Sequence, residues 1–266
     1  MKLNFHFKKR LGQNFLIDNN IVNNIINKAN IDEKTLVIEI GTGAGALTNK
    51  LVEKAKYVIS YEIDTELKDI LEPMFKDIDN LKIIYDDFLG RDIIKDIGDY
   101  KYNRMMIIGN LPYYITTPII NKIIEDKIPI TEMIIMVQKE VAERLIAKPG
   151  VKDYNSLSIF IDYYFEVDKL FSVSRHVFIP KPKVDSVVIR LRKRNKAKIN
   201  VNNERLFFKL VKDAFVFKRK NLRNNLKHYN IDLIESVLKK YNMNSTIRAE
   251  DISIDIFAAI ANELSK

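Results

Sequence analysis

Apolar residues recur along this chain in two alternating rhythms. Ile21, Val22, Ile25, Ile26 and Ala29 fall at helical spacing, so residues 19–29 are predicted to form an amphipathic helix. Leu36 to Ile40 is instead a short apolar run, broken only by Glu39 and ending at Gly41, after which Leu47, Leu51 and Val52 resume the helical period. Tyr57 to Ile63, Leu81 to Tyr85, Met105 to Ile108 and Met133 to Val137 are further strand candidates, separated by helix-length segments such as Thr65 to Phe75. Such alternation predicts a Rossmann-like α/β domain, with a mostly parallel sheet covered by helices on both faces. Ser158 to Val167 and Ser186 to Arg192 are rich in β-formers with no clear helix between them, and are expected to complete a seven-stranded sheet as an antiparallel pair. Beyond them Leu206 to Phe217, Leu222 to Leu226, Ile231 to Tyr241 and Ile252 to Leu264 read as helices without an intervening strand. The expected organisation is therefore an α/β domain over 1–194 and a small all-helical domain over 195–266.

Composition narrows the chemistry. A chain of 266 residues that is 47% hydrophobic can bury one large core and a small appendage. No run is long enough to span a membrane and the N-terminus lacks an apolar signal region, so a cytoplasmic protein with no membrane partner is expected. Cysteine is absent, and His6, His176 and His228 have no second ligand at metal-like spacing, so no metal is expected. The net charge of +9 is unevenly placed: Lys181 to His228 holds sixteen Lys or Arg against three Asp or Glu, while the rest of the chain is slightly acidic. A general lysine bias would spread evenly. A local excess points to a polyanion-binding face.

Two short motifs carry the catalytic signal. Glu39-Ile40-Gly41-Thr42-Gly43-Ala44-Gly45 follows the first strand of the alternating region. Its glycines let the backbone turn sharply and approach a ligand closely, which also suits a plain strand-to-helix turn. The third glycine comes one residue earlier than in the dinucleotide fingerprint, and the acidic Glu39 disfavours a pyrophosphate while suiting the amino group of a methionine moiety. Glu62, about 20 residues on at the end of the next strand, can accept both ribose hydroxyls of an adenosine. Asp87 after the third strand is placed to accept from an adenine amine, with Asp86 an equal competitor.

The second motif is Asn110-Leu111-Pro112-Tyr113, at the end of the fourth strand. An adenine exocyclic amine is a poor nucleophile until acceptors engage its hydrogens. The Asn110 side chain and the Leu111 carbonyl can supply two acceptors, Pro112 stiffens the turn, and Tyr113 offers a ring on which the base can stack. Both motifs lie at the carboxyl edge of one sheet, where open α/β sheets bind ligands. Together they point to a class I methyltransferase that uses S-adenosylmethionine, releases S-adenosylhomocysteine and acts on adenine N6.

The chain resembles the ribosomal RNA adenine dimethyltransferases, in particular those that modify small-subunit rRNA. The resemblance runs through Arg10-Leu11-Gly12-Gln13-Asn14-Phe15-Leu16, both motifs above, Gln138-Lys139-Glu140-Val141-Ala142 with Arg144, and Phe178-Ile179-Pro180-Lys181-Pro182-Lys183-Val184-Asp185-Ser186. It continues into Phe215, Arg219-Lys220, Leu222-Arg223-Asn224 and Arg248-Ala249-Glu250. It implies that Gln13, Asn14 and Leu16 help close a pocket in which Gly41, Gly43, Glu62, Asp87 and Asn110 contact the cofactor. It further implies that Asn110, Leu111 and Tyr113 hold the flipped adenine, with Phe178 on its other face, although burial habits alone would make Phe178 a core residue. Asn221 departs from the small hydroxyl residue found in many relatives. The expected partner is 16S rRNA in the small ribosomal subunit, bound by a monomer through Arg219, Lys220, Arg223 and Lys227. Two alternatives stay open at this stage: a large-subunit dimethyltransferase with the same chemistry, and a ribosome-assembly checkpoint in which methylation is secondary.

Overall fold

The structure is a computed structural model that describes residues 14–98, 100–112 and 115–266. Gln13, Tyr113 and His6 therefore lie outside the described residues. The chain divides into two compact units, one built from the residues up to Lys139 with Asp168–Arg192, the other from Glu140–Val167 with Lys193–Lys266.

In the first unit β1 (Phe15–Leu16) precedes α1 (Asn19–Ala29), whose N-terminus is capped by Asp18 and whose buried face is Val22, Ile25, Ile26 and Ala29. The alternation that follows is β2 (Thr35–Ile40), α2 (Thr48–Val52), β3 (Tyr57–Tyr61), α3 (Lys68–Phe75), β4 (Leu81–Ile84), α4 (Ile93–Ile97), β5 (Arg104–Asn110), α5 (Thr116–Glu125) and β6 (Glu132–Gln138). Strands β2 to β6 run parallel, and every residue of β2 is buried, as a central strand covered on both faces requires. After α6 (Lys139–Ile146) and α7 (Ser156–Tyr164) come β7 (Phe165–Val173), β8 (Phe178–Ile179) and β9 (Ser186–Lys193). The seven-stranded order is β4-β3-β2-β5-β6-β9-β7, while β1 and β8 form a separate antiparallel pair. The chain winds outward through β2, β3 and β4, then crosses to β5 on the other side of β2. That reversal makes the β2/β5 junction a topological switch point, with a crevice at the strands' carboxyl ends.

The expected α/β fold with C-terminal helices is borne out, with one local correction. Ser158 to Tyr164, read as strand, is helical, and the seventh strand starts only at Phe165. β9 pairs antiparallel with β6, and β7 lies outside it. The Ser-Leu-Ser-Ile-Phe-Ile-Asp-Tyr-Tyr run is apolar on most sides, which hides a helical period. Its helix is decided by a capping box in which the Asn155 and Ser158 side chains serve each other's backbone amides.

The second unit has its own core, formed by Tyr154, Ile159 and Tyr163 from α7 and the segment before it, with α8 (Glu204–Ala214), α9 (Leu222–Asn225), α10 (Ile231–Lys239) and α11 (Ile254–Leu264). Phe207, Leu210 and Phe257 are fully enclosed there, and Tyr163 and Tyr164 both donate to the Glu204 carboxylate. The division thus differs from the break expected at residue 195, because 140–167 shares a core with the C-terminal helices. Among the described residues no helix is long and apolar enough to cross a membrane.

Candidate active site

β2 delivers the chain into the glycine turn. Gly41, Gly43 and Gly45 all take positive φ, of 85°, 56° and 79°, a region that costs any residue with a Cβ. At Gly43 space is also short, since an added Cβ would sit 3.2 Å from the Phe15 ring. β3 ends one residue before Glu62, whose buried carboxylate ties the turn down: Oε2 accepts the Gly43 N–H at 2.8 Å and Oε1 accepts the Asp64 N–H at 2.8 Å. Burial raises the Glu62 pKa, partly offset by these two amides.

Glu39, the residue before the last of β2, is fully buried. Its Oε2 accepts from Thr48 Oγ1 at 2.7 Å and Ser60 Oγ at 2.6 Å, whereas Oε1 has no hydrogen-bond partner among the described residues. Desolvation pushes its carboxyl up to about 7, against those two hydroxyls.

β5 delivers Asn110 to the same crevice. The residue before it, Gly109, packs directly on β2: a Cβ there would lie 2.7 Å from the Ile40 carbonyl oxygen. The Asn110 side-chain amide donates to the Asn14 carbonyl at 2.8 Å, and Leu111 is buried with its N–H on the Met136 carbonyl at 3.3 Å.

A cleft enclosing about 770 Å³, part of it open to solvent, joins these pieces; Asn14, Leu16, Glu39, Gly43, Glu62 and Asn110 are among its walls. Of the residues anticipated from sequence, Asn14, Leu16, Gly41, Gly43, Glu62, Asn110 and Leu111 meet here. Sequence reasoning passed over Phe15 and Ile63, which also line the cleft. Ile63 is a large apolar side chain left half-exposed beside Glu62, and its place directly after the strand-end acid is the sequence signal that points to it.

Two anticipated residues stand apart from the cleft walls. Phe178 is only 3% exposed and belongs to the hydrophobic core around Leu16, Val22 and Ile25, in register with Leu16 across the β1/β8 pair, so its ring is not among the cleft walls. Asp87 does not line the cleft either. Its carboxylate caps the short helical turn that follows by accepting the Leu89 N–H at 2.9 Å, while Asp86 accepts the Asp87 N–H and faces Arg91.

The basic stretch also changes character. Arg190 meets Glu132, Arg192 meets Asp168, Arg194 and Lys198 meet Asp162, and Lys209 meets Asp213. These cations are partly neutralised. Arg219, Lys220, Arg223 and Lys227 are exposed, and none has a carboxylate partner among the described residues. The four do not share one helix face, because α9 is a single turn and Arg219, Lys220 and Lys227 lie outside it.

A glycine turn at the switch point of a mostly parallel sheet, with a strand-end carboxylate beside it and an Asn-Leu-Pro turn opposite, defines a class I methyltransferase architecture. Residues 4–266 match the model of the ribosomal RNA adenine dimethylase family, and the chain belongs to that family. It is 46% identical to a ribosomal RNA small subunit methyltransferase A of a Geobacillus species, over 99% of this chain and 93% of the relative. Among solved structures it is similar to a dimethyladenosine transferase from Plasmodium falciparum, with TM-score 0.75, 27% identity and coverage of 92% and 95%. It is also similar to the 23S rRNA methyltransferase ErmE, with TM-score 0.73, 25% identity and coverage of 95% and 100%. The chain is an rRNA adenine dimethyltransferase, and the resemblance read from its motifs is borne out.

Proposed function

We propose that this enzyme uses S-adenosylmethionine to dimethylate N6 of two adjacent adenosines in the rRNA of the small ribosomal subunit. The observation that carries the reading is the cleft itself, where two buried carboxylates, the glycine turn and Asn110 converge within one unit. The 46% identity to a small-subunit enzyme, against 25% to a 23S enzyme, favours the small subunit as substrate.

The donor's chemistry fits the residues present. Glu39 Oε1 is a buried acceptor without a partner on the cleft wall, suited to the donor's ammonium group. Glu62 keeps a second lone pair on each oxygen for ribose hydroxyls after serving its two amides, and Ile63 offers an apolar face to a flat ring. When bound, S-adenosylmethionine supplies an electrophilic sulfonium methyl. The protein's task is to present a nucleophile to it. Asn110 keeps its NH2 on Asn14 and so turns its oxygen into an acceptor for the target amine, with the Leu111 carbonyl as a second acceptor. Drawing on the amine hydrogens, two in the first transfer and the one that remains in the second, returns the lone pair to nitrogen, and the nitrogen's proton leaves to solvent after each attack, so alignment completes the catalysis without a tuned general base. Tyr113 supplies the stacking ring. The first unit is thereby assigned the chemistry and the second unit, through Arg219, Lys220, Arg223 and Lys227, contact with rRNA phosphates.

The test is transfer of labelled methyl to small subunits that lack the modification, with large subunits and DNA as controls. Formation of N6,N6-dimethyladenosine only in the small subunit is expected, and preferential labelling of large subunits would refute the assignment.

A further inference from the structure

We propose that the turn after α8 holds Phe217 out as a stacking platform for an unpaired nucleobase of the rRNA, a contact distinct from the phosphate-binding cations around it. Phe217 and the neighbouring Val216 are 59% and 58% exposed, the two most exposed large apolar side chains among the described residues. The exposure is built in. Asn225, buried at the end of α9, donates its side-chain amide to the carbonyls of Ala214 at 2.7 Å and Phe217 at 3.2 Å, and its oxygen accepts the Phe217 N–H at 3.2 Å. The Lys220 N–H adds a bond to the Phe217 carbonyl at 2.9 Å. These bonds fix the backbone of the turn in a position where the ring stands exposed, so its apolar face stays in water until something covers it.

The surroundings say what covers it. Lys218 is drawn aside, its ammonium on the Lys152 carbonyl at 2.7 Å, but Arg219 and Lys220 follow Phe217 in the same turn and Arg223 lies on α9, all exposed cations without carboxylate partners among the described residues. One ring and one valine are too little apolar area for a stable protein interface. A lone aromatic set among free cations matches single-stranded nucleic acid, where bases stack on the ring while phosphates meet the charges. The inference rests on the rRNA reading above and adds a residue to it that acts by stacking.

Stacking and phosphate contacts separate by salt, because only the latter release counterions. The experiment is filter binding of unmodified small subunits across a potassium chloride series, for wild type, Phe217→Ala, Phe217→Tyr and Arg219→Gln. Phe217→Ala is expected to weaken binding by roughly 5- to 100-fold at every salt concentration with an unaltered slope, and Phe217→Tyr to bind within about threefold of wild type. Arg219→Gln is expected to reduce the slope by about 0.7 to 0.9. Wild-type affinity in Phe217→Ala, or a slope changed as a lost cation would change it, overturns the stacking proposal while leaving the rRNA reading intact. A photo-crosslinking side chain at position 217 that captures a ribosomal protein and no rRNA overturns it as well. Failure of the wild type to bind small subunits refutes the rRNA reading itself.

Discussion

The Asn110 side-chain amide donates to the Asn14 main-chain carbonyl at 2.8 Å, across 96 positions of sequence. This bond fixes which end of the amide is available. The nitrogen is spent on the protein, so the oxygen is the group offered to a substrate.

Asn110→Ala is therefore expected to lower the methyl-transfer rate by roughly 100- to 1000-fold, the loss typical of one preorganised polar group. The dissociation constant of the cofactor should change far less, since the residue acts on the target amine. Asn110→Asp should fare no better than Ala, because it sets a carboxylate oxygen against the Asn14 carbonyl. Single-turnover kinetics with calorimetry of cofactor binding separate the two effects, and a wild-type rate in Asn110→Ala would rule out the acceptor role.

Glu62 joins two jobs. Its oxygens hold the Gly43 and Asp64 amides, and in the proposed complex they also receive ribose hydroxyls. Glu62→Ala should weaken cofactor binding by about 1 to 3 kcal/mol, as expected for charge-assisted hydrogen bonds, and should also lower the thermal midpoint of the free enzyme. Calorimetry and a thermal scan report the two losses independently. Unchanged affinity would remove Glu62 from the site.

Gly109 tests the junction of β2 and β5. Its added Cβ meets a neighbouring strand's backbone at 2.7 Å, which no rotamer change relieves. Gly109→Ala should cost about 1 to 3 kcal/mol of stability through overpacking and should impair catalysis by displacing Asn110. Gly90→Ala is the control, since nothing lies within 4 Å of its added Cβ. Urea midpoints for the two variants should differ accordingly.

How far the sequence alone reached depended on the kind of signal. The parallel strands were legible because each is a short, mainly apolar run bounded by helical periods, and the cleft residues because a glycine turn and a strand-end tetrad are local patterns. α7 was misread because its apolar residues surround the helix, leaving no period, so that only the Asn155–Ser158 capping box distinguishes it. Phe178 could not be placed, because whether a ring faces a cleft or a core depends on the β1/β8 register, a pairing of segments some 160 residues apart. The basic stretch showed its charge but not which cations were already paired, since partners such as Glu132 and Asp162 lie outside it.

Glu39 predicts a pH dependence of cofactor affinity. Its folded pKa of about 7 stands above the ordinary 4.5 because burial disfavours the anion. In the free enzyme its contribution to stability is present in full below pH 4.5 and is lost as pH rises toward 7. A bound ammonium group favours the carboxylate, so binding releases a proton below pH 7. Affinity should rise with pH up to about 7, by at most tenfold per unit, and then level off. In Glu39→Gln that rise should be absent. Calorimetry in buffers of different ionisation enthalpy measures the released proton directly, and an identical pH profile in both proteins would exclude Glu39 as the titrating group.

The exposed cations of the second unit give the last prediction. If Arg219, Lys220, Arg223 and Lys227 meet rRNA phosphates, replacing all four with Gln should weaken small-subunit binding and flatten its dependence on salt by about 0.7 to 0.9 log units per lost contact. Arg194→Gln is the informative control. That guanidinium already faces Asp162 and Glu166, so its loss should alter stability modestly and leave the salt slope in place. Cofactor affinity should be unchanged in the quadruple variant, because every wall of the cleft belongs to the first unit. A slope equal to that of wild type would mean that these four side chains are only solvated, and the phosphate contacts would then have to be sought elsewhere on the chain.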